Sequence, residues 1–421
     1  MKSICPSAAT GGVRAHVLQE PNMRWYLGTQ LFSLTGMMLR SSVLSLFIIE
    51  AVGIRNAPTL VGTVWALNVL PGAFLGVFAG MFVDRYDKRD ILRITAVLGI
   101  IQALALAFIT SGNPREVAIW KIFAVMGFTG FTNMIDGIGR NAIIKDAILH
   151  HHNERLGSIM FNSLYTFAMV LGNGIAGYLV LSIGYSNSFI LNGASFLVLI
   201  FGLSKLNFDH RNGTRSVHKP GWKGVMHSAA EGARYTFTEP GIRICILVAA
   251  AITVFGFAYN VLMSVIAKQM YFGGPKEYSY LAAIAGMGSL IGSIVAIAWS
   301  GRAPTKFVVA GCLIAGICQI VAAQTTSIHF GALAFFGSGF GFMLAFLPIR
   351  GAVMHIVDRR LVGIVLGITF MFFYGGMMVS SFASGYIAKH YGCPAVLTGC
   401  GLALIALSIA TPFLPGIDEI E

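Results

Sequence analysis

Apolar residues run along this chain in long blocks, and polar residues gather in the short gaps between them. Twelve blocks stand out, at approximately 25–49, 59–83, 91–112, 117–139, 157–182, 187–205, 241–267, 278–299, 306–324, 329–349, 361–388 and 393–414. A helix needs about 20 apolar residues to cross a hydrocarbon core of about 30 Å, and each block is near that length. None alternates with the period of a lipid-facing strand, so a barrel is excluded. Lone glycines and Pro71 do not break the pattern, because neighbouring helices satisfy the backbone groups they free. The predicted fold is an all-α membrane protein, twelve transmembrane helices in two pseudo-symmetric six-helix bundles. Its predicted organisation is a tail over 1–24, a first bundle over 25–205, a linker over 206–240 and a second bundle with a short tail over 241–421. Within the linker, 224–237 reads as a short amphipathic helix lying on the inner leaflet.

Composition sharpens this picture. Of the 421 residues, 56% are hydrophobic and 11% charged, against about 25% charged in soluble domains. Soluble, disordered and disulfide-framework classes are excluded. A net charge of +12 in a soluble protein would point to nucleic acid, but its distribution points elsewhere. With both termini in the cytoplasm, 22 of the 29 basic residues fall on that side, and only Arg55, Arg115, Lys268, Lys276 and Lys389 lie in outer loops. That bias orients the spans with both termini on the cytoplasmic side. The expected partners are membrane lipids and a small-molecule substrate, with no nucleic acid, and a monomer is expected. Residues 1–24 lack an apolar core, so the first block is expected to be an uncleaved anchor. The six cysteines form no CxxC pair and read as small buried hydrophobes. His150, His151 and His152 with Glu154 read as a solvated loop, since three consecutive side chains cannot converge on one metal. No metal site is expected.

The chain also repeats itself. Gly177-Tyr178 and Gly184 recur as Gly385-Tyr386 and Gly392, each offset by 208, and Arg140 is matched by Arg350 at an offset of 210. Arg155-Leu156-Gly157 has a looser echo in Arg360-Leu361-Val362-Gly363. Two six-helix halves related by an axis along the membrane normal are a recurring design of secondary transporters.

The stretch Gly80-Met81-Phe82-Val83-Asp84-Arg85-Tyr86-Asp87-Lys88-Arg89 resembles the signature loop of the major facilitator superfamily. The resemblance implies a latch: Gly80 allows close helix approach and Asp84 meets the positive N-terminal end of helix eleven. Such a contact contributes about 0.3–1 kcal/mol. Arg85, Lys88 and Arg89 would hold the latch and meet lipid phosphates. Asp87 stands where the superfamily often has glycine, and aspartate's tolerance of turns and αL keeps a tight turn in reach. The equivalent loop of the second half, Ser300-Gly301-Arg302 with Lys306, has lost the pattern.

Asp136-Gly137-Ile138-Gly139-Arg140 and Glu231-Gly232-Ala233-Arg234-Tyr235, followed by Pro240 and Arg243, are similar to segments of the bacterial enterobactin exporter subfamily, with Ile138 in place of a proline. This likeness implies proton-driven export of a siderophore or similar anionic amphiphile, without a cofactor. The alternatives are multidrug efflux, siderophore uptake and lysophospholipid transport. Leu171-Gly172-Asn173-Gly174-Ile175-Ala176-Gly177 resembles the glycine-rich fifth helix of superfamily antiporters, with Asn173 replacing their proline. Ordinary small-residue packing explains the same pattern.

Charges inside the spans are the most direct functional pointers, because each costs roughly 2.5–3.5 kcal/mol at mid-bilayer. Arg40 and Lys121 exceed the nearby acids, with Glu50 as their counter-charge, so they are candidates for holding an anionic substrate. A structural Arg40–Glu50 gate is the competing reading. Asp136 is the best embedded carboxylate. It is a candidate for proton coupling or for a gate with Arg140 and the basic latch. Gln30, Trp65, Asn68, Asn133, Asn162, Tyr165, Tyr259, Asn260 and Gln319 are candidate cavity residues. A membrane enzyme would need a catalytic pair, and no HExxH, nucleotide loop or nucleophile–base spacing occurs.

Overall fold

The structure, a computed structural model, describes residues 21–147, 154–206, 232–298, 304–357 and 362–414. Its helices are α1 (Pro21–Val52), α2 (Ala57–Arg85), α3 (Lys88–Ile109) and α4 (Ile119–Ala147). A continuous run, Glu154–Lys205, follows. Its 52 residues would extend about 78 Å as one straight helix, more than twice a hydrocarbon core. It folds back at Gly184, whose φ of 81° and ψ of 175° interrupt the helix in a region that side-chain-bearing residues avoid. The two limbs, 154–183 and 185–205, are α5 and α6. Then come α7 (Pro240–Gln269), interrupted at Phe257, α8 (Pro275–Ala298), α9 (Pro304–Gln324), α10 (Ile328–Ile356), α11 (Val362–Tyr391) and α12 (Cys393–Ala410). No strand occurs among the described residues. Among the described residues, eleven helical runs are long and apolar enough to cross a membrane when the α5–α6 run is counted once.

The internal repeat has a structural meaning at each of its glycines. Gly392, at the turn between α11 and α12, has φ 83°, the same left-handed backbone as Gly184 one half earlier. Gly177 of α5 lies on the carbonyl of Pro275 at the start of α8, and Gly385 of α11 lies on that of Pro58 at the start of α2. A methyl group at either position would run into that carbonyl. The repeated pair therefore marks two equivalent crossings where one half is pressed onto the other.

Each half packs mainly within itself. In the first, α1 lies on the α5–α6 pair, α2 on α4, and α3 against α4 to α6; in the second, α10 contacts α7, α8 and α9, and α12 contacts α9 and α11. The halves meet through α2 with α11, α5 with α8, and α1 and α2 with α7. The end carrying Pro21 and Leu414 is called the terminal end below, and the opposite end the far end.

The α2–α3 turn departs from the expectation of left-handed backbone at Asp87. Its φ is −62°, and its carboxylate accepts the Arg89 backbone N–H at 2.8 Å as the N-cap of α3. An N-cap needs extended backbone and a side-chain acceptor, so aspartate serves here without αL geometry. Arg89 donates to the Leu206 carbonyl at 2.9 Å, which ties the start of α3 to the end of α6. The linker's residues 207–231, including most of the expected helix over 224–237, lie outside the described residues, as do residues 1–20, His150 to His152 and Arg360. Residues 232–238 are helical. There Ala233 and Tyr235 pack on the second bundle, and Phe237 meets Phe372 with ring centres 6.0 Å apart.

Candidate functional site

The distribution of apolar cores places a cleft between the halves. At the far end one core is shared: Val43 and Phe47 of α1 and Val61 and Val64 of α2 pack with Leu262 and Ile266 of α7 and Leu281 of α8. Toward the terminal end the described buried residues form two separate cores. One holds Leu34, Leu92, Phe161 and Phe196 of the first half, and the other Ile246, Phe342, Ile349 and Val365 of the second. A molecule sealed at one end by a joint core and divided at the other has the form of a cleft that narrows toward the far end. The α2–α11 contact persists along one side, where Gly72 meets Tyr374 and Gly76 meets Met371.

Hydrogen bonds reinforce the far-end seal. Tyr278 of α8 donates to Ser42 of α1 at 2.7 Å, and Ser42 donates to the Asn173 side chain of α5 at 2.8 Å. Ser279 donates to the Asn173 backbone carbonyl at 3.0 Å and accepts the Gly177 backbone N–H at 2.7 Å. That carbonyl and that N–H are the two ends of one i to i−4 rung of α5. The missing proline at 173 thus leaves an amide side chain that joins the network.

Residues at the midpoint identify the cleft lining. Tyr165 of α5 is 41% exposed, yet it lies within electrostatic range of Tyr374 in the other half. A side chain exposed while flanked by both halves faces the space between them. From α2 into the second half aromatic rings follow one another: Trp65 meets Phe257, Phe257 meets the buried Phe342, Phe342 meets Phe346, Phe346 meets Phe373, and Phe373 meets Tyr374, with ring centres 4.9–6.4 Å apart. Both ends of this series touch α2, through Trp65 and Gly72.

The first half holds two polar clusters behind this lining. In one, Arg140 donates to Asp136 at 2.5 Å, to Ser33 at 2.9 Å and to Gln30. Asp136 also accepts from Thr95 at 2.9 Å, and Tyr26 donates to the Arg140 carbonyl at 2.6 Å. This buried pair joins α1, α3 and α4 and has its hydrogen bonds met, as a buried ion pair requires. In the other, Arg40 is 1% exposed, about 18 Å from the far end of α1 at 1.5 Å per residue. It reaches Gln102 at 3.4 Å and Asn133 at 3.5 Å, and its Nε has no partner among the described residues. Asn133 in turn reaches Asn68 of α2 at 3.5 Å.

Several expectations change with these positions. Arg40 faces the α3–α4 interface in this conformation, and Glu50 is engaged instead by Tyr185 at 2.6 Å near the far end. The Arg40–Glu50 gate is therefore not formed, because the two residues hold different partners. Asp136 pairs within its own helix with Arg140. Gln30 is buried on Arg140, and Tyr259 is buried in the far-end core, stacked on Phe335 at 5.9 Å; neither faces the cleft. Asn260 is half-buried just past the break in α7, and Lys121 is exposed at the far end. The latch residues Gly80, Asp84 and Arg85 lie on the last turns of α2, but their side chains lie outside the described residues. Gln319 donates to the Phe255 carbonyl at 3.4 Å. The polar residues of α8 that seal the far end, Tyr278 and Ser279, carry no sequence motif. The signal that could have found them is the Gly177–Gly385 repeat, which marks where α5 must meet α8.

Similarity to known proteins agrees with this architecture. The family described as transmembrane secretion effector, a major facilitator family, matches residues 17–419. The chain belongs to the major facilitator superfamily. It is 21% identical over 400 residues to the uncharacterized MFS-type transporter YfiS of Bacillus subtilis, covering 91% of each chain. It is also 21% identical over 384 residues to the multidrug efflux pump Tap of Mycolicibacterium fortuitum, covering 87% of this chain and 90% of Tap. Among solved structures, the nucleoside transporter NupG superposes with a TM-score of 0.73 at 13% identity, covering 93% of this chain and all of that one. A POT family transporter in complex with 5-aminolevulinic acid superposes at 0.71 and 12% identity, covering 94% and 96%. At such identities the superpositions establish the fold alone.

Proposed function

We propose that this protein is a proton-driven secondary transporter that exports a siderophore or similar anionic, amphiphilic metabolite across the bacterial inner membrane. The observation that carries the reading is the joint core at the far end with separate cores at the terminal end. The Lys and Arg bias puts the terminal end in the cytoplasm, so the cleft opens toward the compartment where a metabolite is made. Rocking the halves about the cleft breaks the far-end seal and delivers the substrate outside. The aromatic series, half-buried apart from the buried Phe342, suits an amphiphile, since ring faces contribute contact area without demanding one hydrogen-bond pattern. No cofactor is required, and the proton gradient supplies the driving force. The chain acts as a monomer.

Broad drug efflux is the second reading, favoured by the likeness to Tap and by the same aromatic wall. The two separate in one experiment. Cells lacking the protein retain one metabolite and keep their resistance to unrelated dyes if the first reading holds; they become sensitive to several unrelated lipophilic compounds if the second does. Loss of uptake of an iron complex, with normal secretion, contradicts export in both forms. Persistent proton sensitivity of transport in Asp136→Asn excludes that carboxylate as the proton carrier.

A further inference from the structure

Arg140 and Arg350 occupy equivalent places in the two halves, 210 positions apart, yet their surroundings differ in one decisive way. In the first half the residue one turn earlier is Asp136, which neutralises Arg140 inside the protein. In the second half that place is taken by Phe346. Arg350 makes no ion pair or hydrogen bond among the described residues. Its guanidinium instead lies over the Phe370 ring, 4.8 Å from the centre.

Arg350 is half-buried and lies about 9 Å from the terminal end of α10 at 1.5 Å per residue. It stands within electrostatic range of Tyr374, the residue that meets Gly72 of the first half. Phe346, below it on α10, packs against Phe373 with centres 4.9 Å apart. A cation with no counter-charge among the described residues, floored by rings and placed between the halves, is incomplete in electrostatic terms. In a region of low dielectric, such a charge binds an anion strongly. The planar guanidinium matches a carboxylate or sulfonate, and the adjacent ring faces match an arene.

Resting on the transport reading above, we propose that Arg350, Phe346, Phe370 and Phe373 form a loading site for an anionic aromatic group of the substrate. The anion takes the place that the Asp136 carboxylate holds in the other half. The site is separate from Arg40, which is enclosed between α1, α3 and α4, and it lies where a substrate enters from the terminal end.

The test uses the full chain in lipid nanodiscs and two matched probes. These are 8-anilinonaphthalene-1-sulfonate, which is anionic, and N-phenyl-1-naphthylamine, its uncharged counterpart. The readout is the ratio of their affinities. Arg350→Gln lowers the preference for the anion by about 10-fold or more, the usual scale of a charge-assisted contact. Arg350→Lys keeps part of it. Phe346→Asp, which recreates the first half's pair, removes it as fully as Arg350→Gln does, although it leaves the arginine in place. A preference unchanged in Arg350→Gln, or retained in Phe346→Asp, overturns the site, as does an equal loss of both probes. Gradient-driven movement of the two probes in proteoliposomes is measured separately. Wild-type protein that binds the anion selectively but moves neither probe contradicts the transport reading and leaves the binding site standing.

Discussion

Ser279→Ala is the sharpest perturbation of the far-end seal. The hydroxyl bridges the halves by two hydrogen bonds, at 3.0 Å to the Asn173 carbonyl and 2.7 Å from the Gly177 N–H. Both partners belong to one rung of α5, so each has the other when the serine withdraws. Removing the hydroxyl therefore leaves no buried orphan, and only the net worth of the two bonds is lost. Interhelical polar contacts in bilayers contribute about 0.6 kcal/mol each and at most about 1.7. The substitution should shift the closed-to-open balance by about 1–2 kcal/mol, or about 5–30-fold. The assay is maleimide labelling of Ala282→Cys, a position buried in the shared core, in a background without native cysteines. When the seal recloses faster than the label reacts, the rate follows the open population, so it rises by the same factor. Among the described residues Ser338 bonds to the Ala334 carbonyl of its own helix alone, and Ser338→Ala should leave the rate unchanged. A wild-type rate in Ser279→Ala, or equal acceleration by both variants, refutes the reasoning.

Other outcomes follow from the same geometry. Asp136→Ala leaves Arg140 buried without its carboxylate and should destabilise the fold by about 3–5 kcal/mol, read as earlier thermal unfolding in detergent; replacing both residues by Met and Leu should recover most of that loss. Gly392→Ala forces a side chain into positive-φ, extended-ψ backbone (φ 83°, ψ 163°) and should cost about 1–3 kcal/mol, again in thermal unfolding, while the same change at the half-buried helical Gly375 should cost less. Gly177→Leu should drive α5 from Pro275 and hold the far end open, seen as rapid Ala282→Cys labelling together with loss of net transport. Asp87→Ala removes the cap on α3 and should cost about 1 kcal/mol, whereas Asp87→Asn should be nearly neutral.

The sequence pattern carried much of the fold, and the reasons differ by feature. Span positions were legible because lipid imposes long apolar runs on any helix that crosses it, and the blocks near 157–182 and 187–205 read as two spans, which the structure divides at Gly184. The repeat of Gly177 and Gly385 was visible as a coincidence of spacing; its cause, two backbone crossings between the halves, lies in tertiary packing that spacing does not encode. Side-chain direction was not legible. Gln30, Arg40 and Tyr259 are polar residues on apolar helices, and periodicity does not distinguish a cleft-facing position from one turned to a neighbouring helix. The structure turns these three into the protein and leaves Tyr165 in the cleft. Arg350 was recognised only as an echo of Arg140. Its interest comes from the absence of an acid at 346, a contrast that appears once the Asp136–Arg140 bond is known.

Alternating access is the central claim, and paired distances across the two ends test it most directly. Spin labels at Arg55 and Lys389, exposed at the far end, report one mouth; labels at Tyr86 and Arg243, exposed at the terminal end, report the other. In lipid nanodiscs under varied proton and substrate conditions, electron–electron resonance should show the far-end distance lengthening as the terminal-end distance shortens. Two distances that stay fixed, or that lengthen together, contradict a pair of bundles rocking about one cleft.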